Sequence, residues 1–335
     1  MVPSSGAGEE RSLQERLVSW GVSVNDALYP LSVRTMLNCK FVIEDVILDA
    51  PFGGYKGLTE TELAVDHAVN ASPRLPGYVY EERSRLEEPS NNRPKAYLES
   101  CDGAIIDSHN VASLRIGRQD NEVPSGTYDY WTTKAVVASV PTLQREILNG
   151  QRRLEDVGRR FDLVLSVVTS DGQLVLAKRG RNVANAQKQW MASVGESLDA
   201  DQDQDERGIP HPARALRRCL HEHDELNLPW DVAQRAQIRF LGLATEWQYL
   251  YVNVLALVEL DIGFQQVADL WCPGEHDAVA SVPFTLDSCL PLVQSGLFRG
   301  LRSNDGTPLV PVSRMSLLLA LMCRFGFDEV SSRIR

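Results

Sequence analysis

Residues 190–228 read WMASVGESLDADQDQDERGIPHPARALRRCLHEHDELNL. A glycine bend at Gly195-Glu196 leads through a run of acids into a segment with helical spacing. Pro210 and Pro212 pre-set a helix start. At 100° per residue, Leu216, Cys219, Leu220, His223 and Leu226 share one side of that helix, and Arg218, His221, Glu222 and Glu225 share the other. The first side is expected to pack inward, His223 with it. The second offers two carboxylates one turn apart, with Arg218 placed four residues before Glu222 to orient it. Asn227 can take the left-handed conformation that ends a helix. Carboxylates on a helix beside a glycine loop are one way to present a divalent metal to a bound diphosphate.

The stretch resembles the signature of the Nudix hydrolases. That pattern is Gly, five residues, Glu, seven residues, then Arg-Glu-apolar-any-Glu-Glu-any-Gly-apolar. In one register Gly195 is the glycine and Asp201 the first acid, with a spacer over residues 202–217. Arg218, Leu220, Glu222 and Leu226 then match, and Cys219, His223 and Glu225 stand where Glu, Glu and Gly are expected. A second register makes Asp224-Glu225 the acid pair, gives up Arg218 and puts His221 at a glutamate position. Both registers stay open. The flanks are similar to the family too: a hairpin over 161–179, Trp190 just before the glycine, a strand over 249–258, and an acid-then-helix segment from Glu275 to Leu292. The resemblance spans residues 158–300.

The resemblance implies an α+β chain. A Nudix-like α/β/α sandwich with a mixed sheet would occupy residues 156–300, with an N-terminal α+β region over 13–155 and a helical segment over 301–335. It also implies Mg²⁺- or Mn²⁺-dependent hydrolysis of a nucleoside-diphosphate-linked substrate. Glu222, Glu225 and Asp224 would hold the metal, Glu222, Arg218 and Glu225 would form the catalytic set, and Gly195, Glu196, Lys178 and Arg179 would meet the substrate. Cysteine and neutral histidine are poor Mg²⁺ ligands. The same cleft therefore also suits a non-hydrolytic, nucleotide-binding sensor or scaffold, or an enzyme that reuses it for other chemistry.

Composition bounds these readings. The chain has 335 residues, 43% of them apolar and 24% charged, which fits a globular protein of two domains or one large one. A formal charge of −11 argues against a broad nucleic-acid surface. The six cysteines form no Cys-x-x-Cys pair, so reduced thiols in a cytoplasm are expected. The start of the chain lacks the apolar core of a signal peptide and reads as a disordered tail over residues 1–12. The longest apolar run, 317–323, is too short to span a bilayer. The acids of 199–206 fail the calcium-loop pattern, with Gln204 and Pro210 at the positions that need Gly and Glu, and read as a mobile loop. Residues 51–57 lack P-loop spacing, and no Gly-x-Ser-x-Gly elbow occurs.

Outside the box, helices are expected over 13–37, 140–153, 286–293 and 313–325, and strands over 41–48, 96–99, 111–116, 134–140 and 238–243. Thr59-Glu-Thr-Glu62 reads as a capping box that starts a helix towards residue 69. Residues 13–155 would serve as a separate domain, a lid or a surface for a homodimer.

Overall fold

The computed structural model describes residues 42–43, 46–68, 95–102, 112–119, 161–181, 183, 186–223, 225–246, 251–298 and 306–334. The helices expected over 13–37 and 140–153, the strand over 134–140 and Asp224 lie outside them.

The protein mixes α and β structure around one mixed sheet. Strands β1 (Val42–Ile43) and β2 (Val46–Pro51) come first, and a small sheet follows from β3 (Leu63–His67), β4 (Lys95–Asp102) and β5 (Ala112–Gln119). Then come β6 (Phe161–Val168), β7 (Gln173–Arg179), β8 (Trp190–Met191), β9 (Val194–Ser197), α1 (Pro212–His221) and α2 (Trp230–Arg235). Strands β10 (Gln237–Glu246) and β11 (Tyr251–Glu259), α3 (Phe264–Leu270), β12 (His276–Pro283) and α4 (Leu286–Ser295) follow. The hairpin β13 (Leu297–Phe298) and β14 (Thr307–Pro308), then α5 (Pro311–Phe325) and α6 (Phe327–Arg333), close the described chain.

The main sheet runs β1-β2-β10-β11-β6-β7-β12. Among the described strands of this sheet, β11 and β6 alone pair in parallel, and β11, buried along nearly its whole length, lies at the centre as its apolar run predicts. From the N-terminal region, β2 pairs with β10 and β1 with β2, which extends this sheet. Side chains leave the sheet alternately to two cores. Leu163, Leu165, Val252 and Val254 join α1, α2, α3 and the small sheet on one face. Val164, Leu255 and Leu257 join α4 and α5 on the other. Among the described residues no helix is long and apolar enough to cross a membrane. Cys219, Cys272, Cys289 and Cys323 are free thiols.

One expected helix is a strand. Thr59 does close on Glu62, whose Oε2 accepts from Thr59 N (2.7 Å) and Oγ1 (2.8 Å). The chain then runs into β3 instead, because Leu63 and Val65 alternate inward and pair in parallel with β5. A capping box does not outweigh a period of two that buries both apolar side chains.

The hairpin β6–β7 opens as it leaves its turn. The two strands pair directly only at Val168 and Leu174. Further down β6 pairs with β9, and β7 pairs with β8. Ser193, fully buried at the apex of this fork, serves both arms. Its N–H donates to Leu165 O (2.8 Å), its Oγ accepts from Val167 N (2.9 Å), and the same Oγ donates to Val175 O (2.7 Å). Ser193→Ala strands one buried donor and one buried acceptor. We expect it to lower stability by about 2–4 kcal/mol, read from the urea midpoint at unchanged slope. A change below about 0.5 kcal/mol would place the fork's support elsewhere.

Candidate functional site

The fork leaves room for β8 and β9, and the site is built there. Gly195 packs backbone to backbone: a Cβ at this position would sit 2.9 Å from Leu163 O and 3.2 Å from Met191 Cε. On one side of the fork a cavity of about 540 Å³ opens. Arg179, Gly195, Glu196, Glu275, Asp162 and Asn253 are among the residues that line it. Leu309 to Val312, at the entry to α5, line it as well. The Val310 N–H donates to Trp190 O (2.8 Å), and Ser313 Oγ accepts from the Ala192 N–H, so the start of α5 is stitched to the fork.

The acidic loop is ordered by its own carboxylates. Asp199 Oδ1 accepts from the N–H groups of Asp201 (2.9 Å) and Gln202 (3.0 Å), and Asp205 Oδ1 from those of Arg207 and Ile209. Asp203 Oδ2 accepts from Asp199 N (2.7 Å). These are backbone-capping turns, which corrects the expectation of a mobile loop. They also bury Asp203, while Asp201 stays exposed beside Arg118.

Arg218 is the hub. It holds Asp203 in a fork, Nε to Oδ1 at 2.7 Å and Nη2 to Oδ2 at 2.9 Å, and also donates to Ser197 O (3.0 Å) and Glu222 Oε1 (2.8 Å). Glu196 Oε2 lies 3.9 Å from Nη1. Burial works against the guanidinium's charge, but Asp203, Glu196 and Glu222 more than restore it, so its pKa rises. Burial pushes the Asp203 carboxyl above its ordinary value and Arg218 pulls it back. Arg218 keeps its proton, as arginine does in proteins, and its charge favours the ionised form of Asp203. The acid that meets Arg218 is therefore Asp203, while Asp201, at the first acid position of the matched pattern, pairs with Arg118.

The helix is shorter than its periodicity suggests. It stops at His221, and Glu222 is already extended (φ −58°, ψ 137°). The chain turns back because Leu226 and Leu228 are both buried and Asn227 takes a left-handed conformation (φ 53°). The Leu228 N–H returns to Leu220 O (3.0 Å), and Leu228 O meets the ring of His221 (2.7 Å). Glu225 therefore does not face outward one turn from Glu222. It lies in this turn, 1% exposed, with Oε2 2.9 Å from His276 Nε2. His223, expected to pack inward, is exposed. Cys219 sits fully buried among apolar neighbours, and burial pushes its thiol well up.

Four glutamates gather around the turn. Burial raises the Glu225 carboxyl well above its ordinary value, and the charges of Glu275, Glu196 and Glu222 raise it further against Arg179. Burial lowers His276 to about 4, with Arg179 acting in the same direction. Among the described residues, Glu225 Oε1 and His276 Nδ1 have no hydrogen-bond partner. Among the described residues, no three His, Cys, Asp or Glu side chains stand ready to hold a metal ion. Of the expected substrate contacts, Gly195, Glu196 and Arg179 line the cavity, whereas Lys178 lies over the Trp190 ring at 6.0 Å. Sequence reasoning missed Asp203, His276, Asp162, Glu246 and Asn253. Asp162 and Asn253 carried a readable signal, since each interrupts an otherwise apolar strand at an inward position.

No family model matches the chain, and no curated protein matches it. Among solved structures it is similar to the crystal structure of DR0079 from Deinococcus radiodurans, with 16% identity, over 47% of this chain and 81% of that one, at a TM-score of 0.32. A likeness of that extent assigns neither fold nor function.

Two measurements probe this geometry. Asp203→Asn leaves Arg218 buried and half-paired and should cost about 3–5 kcal/mol, against under about 0.5 kcal/mol for Asp201→Asn. Equal effects in denaturation curves would remove Asp203 from the hub. The buried pair sets the second. His276 titrates at about 4 when folded against 6.5 ordinarily, so the unfolded chain binds its proton first and stability falls as pH drops from 6.5 to 4. Glu225 has the opposite sign. Its folded carboxyl keeps a proton that the unfolded chain releases above 4.5, so stability falls as pH rises past 4.5. The two trends offset each other in the wild type. Glu225→Gln isolates the histidine, and its stability should fall by about 3 kcal/mol between pH 6.5 and 4. A pH profile parallel to the wild type would refute this assignment.

Proposed function

We propose that the chain is a Nudix-like hydrolase that binds a nucleoside-diphosphate-linked substrate in the fork cavity and cleaves it with Mg²⁺ or Mn²⁺. One observation carries this reading: Glu225, buried with an unpartnered oxygen, is set among Glu196, Glu222 and Glu275. Packing like charges around a desolvated carboxylate costs stability, and such arrangements gather at functional sites. The donors are hard carboxylate oxygens, the chemistry that Mg²⁺ takes. They match the ion by type but do not converge as a ready set among the described residues, so Glu225, Glu222, Glu196 and Glu275 would have to close on it. The cation, when bound, would neutralise charge on the phosphoryl oxygens. A Nudix-like sandwich is the finer fold reading, supported by a glycine strand leading to an arginine-bearing helix on a mixed sheet with helices on both faces.

The other steps fall to the chain's own groups. Arg179 reaches the cavity and would meet a phosphate at its acidic end. Arg218 holds Glu222 at 2.8 Å and so fixes where that carboxylate points. Leu309 to Val312 wall the cavity against water.

A second reading, a non-hydrolytic sensor, draws on Cys219. It stands in the core where the family pattern has a glutamate, so that position can offer no hard oxygen.

Incubation of purified protein with a panel of nucleoside-diphosphate-linked compounds and Mg²⁺ or Mn²⁺ separates the two. Hydrolysis should yield phosphate-bearing products and fall at least about 100-fold in Glu222→Gln, the scale of losing a group that stabilises developing charge. Calorimetric binding of the same compounds without turnover would sink the hydrolase and leave the sensor.

A further inference from the structure

The Glu225–His276 pair joins the turn after α1 to β12, and its geometry leaves one atom of each partner over. Oε2 of Glu225 lies 2.9 Å from His276 Nε2, and both side chains are shut off from water. Oε1 of Glu225 and Nδ1 of His276 take no partner among the described residues. A buried carboxylate oxygen that no donor meets is costly. Packing alone does not call for it, since apolar side chains of similar volume fill such a place as well or better. The spare oxygen belongs to a carboxyl group that feels the charges of Glu275, Glu196 and Glu222.

The four glutamates differ in their freedom. Glu225 is enclosed and its turn is pinned. The Glu225 N–H donates to Glu222 O (3.1 Å), Leu226 and Leu228 are buried, and the Asn227 side chain donates to Leu270 O in α3 (2.8 Å). His276 is equally enclosed, in register with Arg179 across β7 and β12. The side chains of Glu222 and Glu196 are 34% and 20% exposed, and Glu275 is exposed. Exposed side chains change rotamer quickly, whereas close-packed ones are held by their neighbours. Three of these carboxylates can therefore swing. The fourth cannot, and His276 sets its direction.

We propose that His276 is a positioning residue: its Nε2–H holds Oε2 of Glu225 and leaves Oε1 as the fixed contact for a divalent cation, onto which Glu222, Glu196 and Glu275 close. The inference rests on the acidic cluster being the metal site of the proposed hydrolase. It also fixes the tautomer of the ring. A carboxylate that meets a cation through Oε1 is ionised and only accepts, so Nε2 carries the proton. Nδ1, which has no group to donate to, is then the bare nitrogen. Carboxylates that hold metals are themselves held by hydrogen bonds, and losing the holding group weakens metal affinity about 10–100-fold.

The test measures the cation alone, on the full chain without nucleotide, so that it does not depend on hydrolysis. Calorimetry with Mn²⁺ compares the wild type with His276→Leu, which fills the space without an N–H, and His276→Gln, which keeps one. His276→Leu should bind Mn²⁺ about 10–100-fold more weakly, and His276→Gln should stay within about threefold of the wild type. A merely structural histidine would lower the stability of both variants and leave the Mn²⁺ affinity of the folded protein unchanged, and that result overturns the proposal. Nitrogen NMR of the His276 ring in the wild type decides the matter if the leucine variant fails to fold. With Mg²⁺ bound, Nε2 should carry the proton and Nδ1 none. The opposite tautomer, or ring signals indifferent to Mg²⁺, overturns the proposal, as does an absence of Mn²⁺ binding at millimolar concentration. Mn²⁺ binding that depends on His276 without turnover sustains this inference and defeats the hydrolase. Turnover with a Mn²⁺ affinity indifferent to His276 does the reverse.

Discussion

The fork held by Ser193 is the constraint on which the rest of the structure depends. A β-hairpin whose strands separate leaves unpaired backbone groups along both inner edges, and buried groups of that kind must find partners. Here β8 and β9 supply most of them, and one hydroxyl supplies the pair at the apex where no strand fits. Because β9 is wedged into the fork, its glycine lies against β6. Because β8 is wedged there too, Trp190 and Ala192 reach the start of α5. The cavity, its wall and the approach to α1 all follow from where the hairpin opens.

From the fork the loop to α1 is long, yet it leaves the helix well placed. Loop closure costs little per added residue, and five of the loop's backbone donors between 199 and 209 are met by the side chains of Asp199, Asp203 and Asp205. Asp203 then spends its remaining capacity on Arg218. One carboxylate thereby fixes the loop to itself and the helix to the loop, and Arg218 passes that order on to Ser197 O in β9 and to Glu222.

Much of the fold was legible where one period dominated. The hairpin turn at 169–172, the central strand β11 and the two helices after residue 286 follow from apolar runs bounded by turn residues. The site was legible in part. Arg218 and Glu222 are neighbours, as i,i+4 spacing on a helix requires. Glu225 was misplaced because a helical wheel assumes the helix continues, whereas the burial of Leu226 and Leu228 turns the chain back. Asp203 was indistinguishable from Asp201 in a run of alternating acids, since the choice depends on which one the loop buries. His276 gave no signal alone, and its partner is 51 residues away in sequence. Thr59–Glu62 shows the limit from the other side: a correct local hydrogen bond preceded a strand, because pairing with β5 outweighed it.

Strand β9 serves both faces of the sheet. Successive residues of a strand point to opposite sides. Val194 goes to the core under α1, and Gly195, beside Val164, faces the cavity. Glu196, beside Leu163, turns back towards Arg218 and still borders the cavity. A side chain at 195 would collide with Leu163 O and push β9 away from β6. The glycine is therefore needed less for its backbone freedom than for the missing Cβ, which lets β9 lie close against β6 between the two cores.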